Sequence, residues 1–179
     1  MVHTGFGKIY QTIDVRPAGP DPRALSARDD RSFADKVDAA IVSHRAALAL
    51  PAAAAGPRII VSAHSLGAAL LTQYVLDNET KRPGDSILAY TFASPRVGDQ
   101  QFANSYNGLA SVKTWRIHVK EDVVPNLPPD TWDFVHVNTG VEIVASRNGV
   151  QDTVSCHHAL QTYQYLLDPA EYQVDDCKA

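Results

Sequence analysis

The sequence predicts an α/β layered domain built on a mainly parallel sheet. The chain has 179 residues, the length of about one domain, and we expect residues 1–179 to form a single domain. Hydrophobic residues make up 45% of the chain and charged residues 20%, as in an ordinary globular protein with a core. From Asp30 to Val119, short β-branched runs alternate with stretches of helical periodicity. This alternation is typical of parallel strands joined by crossover helices.

The N-terminal part of the chain predicts a loop, two helices and a buried strand. Prolines and a glycine mark residues 15–30 as a loop. Apolar residues then recur at helical spacing over residues 30–50, and a proline ends that pattern. Residues 58–63 are a short β-branched run, which predicts a buried strand. The helical pattern returns from Leu66 to about Asn78.

The next part predicts two more buried strands, over residues 87–92 and 112–119, with a short helix between them at 99–106. A proline-rich loop follows over residues 123–130. After it, Phe134–Asn138 and Val141–Ala145 are separated by Thr139-Gly140, which predicts a hairpin. A closing helix is expected from His158 to Leu167.

Charge and hydropathy disfavour two classes of function. Lys and Arg number 16 against 20 Asp and Glu, for a net charge of −4, whereas a nucleic-acid binder usually carries a basic excess. No apolar run approaches the roughly 18–20 residues of a membrane span. The first ten residues lack the basic and apolar segments of a secretion signal, and localisation is left open.

The two cysteines, Cys156 and Cys177, are too few for a scaffold built on disulfides. Of the two states that the sequence leaves open, one disulfide or two free thiols, we expect the free thiols. Cys156-His157-His158 has the residue types of a metal site, but no second Cys/His cluster stands at ligand spacing. The sequence therefore predicts no metal and no cofactor.

The segment Ala63-His64-Ser65-Leu66-Gly67 lies between a predicted buried strand and a predicted helix, which is the setting of a nucleophile elbow. The tight turn needs small residues two positions before and two after the serine. Gly67 meets this need, and Ala63 stands where the G-x-S-x-G pattern has glycine. We expect its methyl group to be tolerated. The elbow makes Ser65 the candidate nucleophile.

A serine hydroxyl needs an adjacent base, and that base needs an orienting acid. In folds with this elbow, the acid follows the serine along the chain and the histidine comes last. Asp122 suits the acid because it opens the loop after the strand at 112–119. Asp99 is better explained as a helix N-cap, and Asp133 leads into the predicted hairpin.

Four histidines follow the nucleophile. His118 precedes Asp122 and lies within a strand, and His136 alternates within the predicted hairpin, which indicates a structural role. His157 and His158 lie where the chain enters the closing helix. Spacing alone leaves both of them open as the base.

Five segments, in chain order, carry a more specific pattern: Val2-His3-Thr4-Gly5-Phe6, His64-Ser65-Leu66-Gly67-Ala68-Ala69-Leu70, Phe92-Ala93-Ser94-Pro95-Arg96-Val97-Gly98, Asp122-Val123-Val124-Pro125-Asn126-Leu127-Pro128 and His158-Ala159-Leu160-Gln161-Thr162-Tyr163. With them the chain resembles the class 3 (fungal and plant-type) triacylglycerol lipase family. The resemblance implies an α/β-hydrolase-type domain and a lipid ester as substrate, with contact to a lipid interface.

The resemblance also implies a role for each site residue. Ser65 is the nucleophile, Asp122 the orienting acid and His158 rather than His157 the general base. The backbone N–H of Leu66, the residue after the nucleophile, is one oxyanion donor. The implied chemistry is ester hydrolysis through an acyl-enzyme.

One departure from the family pattern concerns the start of the sequence. The family places its N-terminal strands, an F-R-G-[ST] segment with the other oxyanion donor, and a lid before the V-H-x-G-F segment. The sequence therefore also predicts an alternative: a truncated lipase-like domain, weakly active or non-catalytic, that binds lipid or a partner chain. Lipase, phospholipase A1 and feruloyl esterase activities are not separated.

Overall fold

The computed structural model describes residues 1–13, 30–47, 58–83 and 86–179. Its centre is a four-stranded sheet in the order β1-β2-β3-β4, in which every neighbouring pair is parallel. The strands are β1 (Arg58–His64), β2 (Ser86–Phe92), β3 (Val112–Val119) and β4 (Gly140–Ile143). This confirms the predicted α/β class with a parallel sheet. The loop expected over residues 15–30 lies outside the described residues, except for its last residue.

Six helices flank this sheet in the described part of the chain: α1 (Thr4–Thr12), α2 (Phe33–Ala47), α3 (Leu66–Lys81), α4 (Gln100–Asn107), α5 (Val154–His158) and α6 (Leu160–Leu167). Successive side chains of β2 point to opposite faces of the sheet, and each face has its own core. Ile87 and Ala89 join a core with residues of α2, α3 and α4. Tyr90 and Phe92 pack into a second core with residues of α5 and α6. Helices thus pack against both faces of the sheet, as is usual for parallel strands. On the face of the second core, Ile60 and Trp115 remain 65% and 51% exposed.

The predicted hairpin is wrong. In the described stretch 86–179, Phe134–Asn138 makes one antiparallel bridge, between Val135 and Gly98, instead of a strand. Gly140–Ile143 pairs with β3 in parallel. Gly140 is not a turn glycine: a Cβ there would collide with the guanidinium of Arg116. The backbone of β4 makes four parallel pairs with β3. This pairing with β3 is formed instead of the tight turn that Thr139-Gly140 predicted.

The predicted closing helix is α6, which begins at Leu160 instead of His158, and a separate short helix, α5, precedes it. Ala159 takes extended backbone angles, φ −63° and ψ 133°, so α5 ends and α6 begins around it. His158 is therefore the last residue of α5 instead of the first residue of the closing helix. Periodicity cannot reveal this break, because alanine is compatible with either conformation.

The expectation of two free thiols is also wrong. Cys156 and Cys177 form a disulfide whose Cα atoms are 5.3 Å apart. Cys177 belongs to a short 3₁₀ turn, Asp175–Cys177, and residues 149–151 pair with the tail that contains it. The two cysteines are 21 positions apart in the sequence, so only this folding back of the tail makes the bond geometrically accessible.

Candidate active site

Ser65 occupies a strained turn between β1 and α3. Its φ of 57° and ψ of −128° lie in a region that non-glycine residues rarely adopt. Its backbone N–H donates to the carbonyl of Phe92 at 2.9 Å, and its carbonyl accepts from Ala68 at 2.9 Å. Backbone hydrogen bonds on both sides thus hold the turn. The Ser65 hydroxyl makes no capping hydrogen bond to the N-terminus of α3.

Ala63, which stands in place of the usual glycine, lies opposite Gly67 across the turn. A Cβ built on Gly67 would lie 3.7 Å from the Cβ of Ala63, which is ordinary van der Waals contact. The Ala63 methyl group therefore leaves room on the Gly67 side of the turn.

Asp122 lies just after β3 and is only 1% exposed. Its Oδ1 accepts from the backbone N–H of Val124 at 2.9 Å, and its Oδ2 accepts from the Tyr163 hydroxyl at 2.8 Å. Burial, together with the hydrogen bond and charge of Asp122, raises the pKa of Tyr163 well above its usual range. Tyr163 therefore stays a hydrogen-bond donor to the carboxylate at any physiological pH.

His158 joins the serine to the carboxylate. Its Nε2 lies 2.8 Å from the Ser65 Oγ, and its Nδ1 lies 2.9 Å and 3.2 Å from the two Asp122 oxygens. With Asp122 ionised, the hydrogen-bond network assigns the proton to Nδ1. The serine hydroxyl then donates to the free electron pair on Nε2. The structure thus brings Ser65, Asp122 and His158 together.

The other histidines make different contacts. His157 is 4% exposed, and its nearest acidic partner is Asp152, at 3.6 Å. His136 lies against the carbonyl oxygen of Pro125, with its Nε2 at 2.8 Å. Burial, followed by the charges of two arginines, lowers the pKa of His136 to about 3, so its ring is neutral at pH 7. The ring of His64 lies 4.7 Å from that of His158, and burial followed by the charge of His158 lowers the pKa of His64.

Two supporting residues had no role in the sequence analysis. The Arg96 guanidinium donates to the carbonyls of Asn126 and Pro128, the latter at 2.7 Å, so it fixes the loop after Asp122. The Glu121 carboxylate accepts from the backbone N–H groups of Ala145 and Ser146, at 3.0 Å and 3.1 Å. The residues that Arg96 and Glu121 contact are more than 20 positions away in the sequence, so only the fold reveals these contacts.

The remaining candidates also have defined places. Leu66 begins α3, where a backbone N–H has no partner one turn back within the helix. Asp99 is the N-cap of α4 and accepts from the Phe102 N–H at 2.9 Å, as the sequence predicted. Asp133 follows a 3₁₀ turn with a φ of 61°.

The arrangement of Ser65, His158 and Asp122 is suited to nucleophilic attack. A hydroxyl bonded to an imidazole, which is bonded to a buried carboxylate, can attack an acyl carbonyl. The described ranges contain no group of three or more His, Cys, Asp or Glu residues that could hold a metal ion. None of the helices described is both long and apolar enough to cross a membrane.

Comparisons with known proteins find similar sequences among lipases and phospholipases. A sequence profile of the family Lipase (class 3) matches residues 1–132. Phospholipase A1-IIgamma of Arabidopsis thaliana is 41% identical over 80 residues, which are 40% of this chain and 19% of that protein. A lipase of Rhizomucor miehei is 29% identical over 64% of this chain and 34% of its own length. The chain thus spans about a fifth to a third of these relatives.

Solved structures resemble the chain over a larger share of its length. The refined structure of Rhizomucor miehei triacylglyceride lipase superposes with a TM-score of 0.56 and 25% identity, covering 81% of this chain and 45% of the lipase. Lipase II from Rhizopus niveus superposes at 0.56 and 21% identity, covering 99% of this chain and 52% of that one. These neighbours confirm an α/β-hydrolase-type fold. The profile match covers well over half of the sequence, and the chain therefore belongs to the class 3 lipase family.

Proposed function

We propose that this chain is a serine carboxylester hydrolase that acts on lipid esters. The observation that carries the proposal is the continuous hydrogen-bonded series from the Ser65 hydroxyl through His158 to the buried Asp122. Family membership adds the class of substrate, since the relatives are named as lipases and phospholipases.

In the proposed reaction, His158 Nε2 takes the proton of the Ser65 hydroxyl as Oγ attacks the ester carbonyl. The carbonyl oxygen becomes an oxyanion. As the intermediate collapses, the imidazolium returns the proton to the leaving alcohol, and an acyl-enzyme remains. Water, deprotonated by the same Nε2, then releases the acid and restores Ser65. Asp122 stabilises the imidazolium and holds its ring in place.

The oxyanion needs hydrogen-bond donors near Ser65. We propose the backbone N–H of Leu66 as one, because it is the first residue of α3. At that end of the helix, unpaired N–H groups and the helix dipole favour negative charge. Such a donor is worth roughly 3–4 kcal/mol of transition-state stabilisation.

An apolar rim supports a lipid substrate. We define the rim as four exposed side chains that follow the proposed catalytic residues closely in the chain: Leu66, Val123, Leu127 and Leu160, which are 42%, 44%, 48% and 42% exposed. Exposed apolar side chains of this kind favour contact with a lipid surface. The same rim also favours the alternative function, a non-catalytic domain that binds lipid.

A fluorophosphonate probe separates these two functions, because it reacts with an activated serine and leaves an unactivated one unmodified. We expect a single adduct, located on Ser65 by mass spectrometry and absent from Ser65→Ala. An adduct on another serine overturns the assignment. No adduct, together with retained binding to lipid vesicles, favours the non-catalytic alternative.

The rim predicts a substrate-dependent loss of rate. Replacing Leu127 and Leu160 by alanine is expected to lower hydrolysis of an emulsified lipid about tenfold, since the half-exposed leucines gain roughly 1–2 kcal/mol on entering lipid. Turnover of a soluble short-chain ester should change little. Trp115→Ala is the matched control, because Trp115 is 51% exposed but lies in the middle of β3. Equal losses on both substrates would argue against an interfacial role.

Tyr163→Phe is expected to destabilise the fold by about 2 kcal/mol, because Asp122 loses a donor and the Val119 N–H loses its acceptor at 3.1 Å. Turnover should also fall, since the carboxylate is less firmly held. Urea unfolding and kcat measure the two effects. Tyr165→Phe, which removes a hydroxyl from the same helix, is expected to cost little. Identical effects of the two variants would show that the Tyr163 hydroxyl does not hold the acid.

A further inference from the structure

The proposed base is carried by a very short helix. α5 has five residues and ends at His158. A helix shorter than roughly 12 residues is unstable by itself in water, so tertiary contacts must set the position of α5. The His158 side chain is 27% exposed, so the protein does not enclose the imidazole on every side. Its position therefore depends on how firmly the backbone of α5 is held.

Cys156 precedes His158 by two residues and contacts both the core and the C-terminal tail. It is 5% exposed and belongs to the same core as Val119 and Tyr163. Its carbonyl accepts from the Thr162 hydroxyl at 2.6 Å, which ties α5 to α6. Its Sγ is bonded to Cys177.

The tail that contains Cys177 is itself paired with the segment just before α5. The Gln151 N–H donates to the Cys177 carbonyl at 2.8 Å, and its side-chain Nε2 donates to the Lys178 carbonyl at 2.9 Å. The Ala179 N–H donates to the Gly149 carbonyl at 2.8 Å. The tail therefore holds α5 twice, ahead of its first residue through hydrogen bonds and within it through the disulfide.

We propose that the Cys156–Cys177 disulfide is a positioning element, which holds the His158 imidazole within reach of Ser65 and Asp122. The inference rests on the proposed role of His158 as the base. Without the bond, α5 keeps its cap at Thr153 and its hydrogen bond from Thr162, so the domain stays folded while the imidazole moves more widely. A displacement of about 1 Å is enough to cost on the order of 10²-fold in rate.

The first test observes the imidazole directly and needs no activity. In NMR spectra of the oxidised chain, we expect a downfield resonance from the His158 Nδ1 proton, identified by its loss in His158→Ala. Cys177→Ser should broaden or abolish this resonance, while the amide signals of the sheet keep their dispersion. Gln151→Ala is the matched control: it removes one hydrogen bond of the tail, leaves the disulfide intact and should keep the resonance.

The second test measures turnover of a soluble ester. Cys177→Ser is expected to lower kcat on the order of 10²-fold and to leave KM nearly unchanged, because the substrate still binds. Dithiothreitol should reproduce the loss in the original chain. It supplies two electrons and two protons to give two thiols, and it closes to its own disulfide. Reoxidation should restore kcat, and Cys177→Ser should not respond to dithiothreitol.

Three NMR outcomes overturn the proposal. The first is a resonance that persists in Cys177→Ser. The second is a resonance that is absent from the oxidised chain. The third is a resonance that disappears in Cys177→Ser together with the dispersion of the sheet signals. The last outcome would make the disulfide a general stabiliser. Unchanged kcat in a fully reduced chain also overturns the proposal. If the resonance behaves as expected but no probe labels Ser65, the positioning role stands and the hydrolase function fails.

Discussion

Ser65→Ala is expected to lower kcat for a soluble ester on the order of 10⁶-fold, because the acyl-enzyme route then has no nucleophile. The hydroxyl is exchanged for a hydrogen, and the strained turn keeps its backbone hydrogen bonds to Phe92 and Ala68. The fold should therefore be unaffected, and circular dichroism and the unfolding midpoint can verify this. The rate is measured with a p-nitrophenyl short-chain ester.

The matched control for this variant is Ser62→Ala. Ser62 lies on β1, near the same strand end, and is exposed. Its removal should leave turnover within about twofold, because Ser62 is not part of the hydrogen-bonded series from Ser65 through His158 to Asp122. If Ser65→Ala retains more than a small fraction of the activity, another group is the nucleophile and the proposed mechanism fails.

The second large effect distinguishes two adjacent histidines. His158→Ala is expected to lower kcat on the order of 10⁵–10⁶-fold, because the Ser65 hydroxyl loses its base. His157→Ala should keep kcat within about tenfold and should instead reduce stability, since a buried side chain leaves a cavity. Turnover and urea unfolding, measured on both variants, give opposite rankings if the assignment is correct.

Imidazole in solution sharpens this comparison. A small base can enter the space left by His158→Ala and partly replace the missing ring, so added imidazole should raise the rate of that variant. It should not raise the rate of Ser65→Ala. Equal losses of kcat in the two histidine variants, or a larger loss in His157→Ala, would mean that His157 is the base.

Several parts of the fold were predictable from the residues alone. Residues 58–63, 87–92 and 112–119 are β-branched runs, and each is a strand within one residue of the expected ends. Short runs of this composition favour an extended strand, so local composition is sufficient to place them. The strained turn at Ser65 was predictable for a similar reason. Small residues around Ser65 are a steric requirement of the turn itself and are therefore visible in the sequence.

The sequence by itself thus determined the parallel sheet, the strained serine turn and, through the family motifs, the membership in class 3 lipases. Only the tertiary structure decided how the C-terminal third is arranged. The chain breaks at Ala159 between α5 and α6, and β4 pairs with β3 instead of forming a hairpin. The Cys156–Cys177 bond and the contact between Tyr163 and Asp122 join residues far apart in the chain. These features depend on which distant groups are available as partners, and no local pattern encodes that.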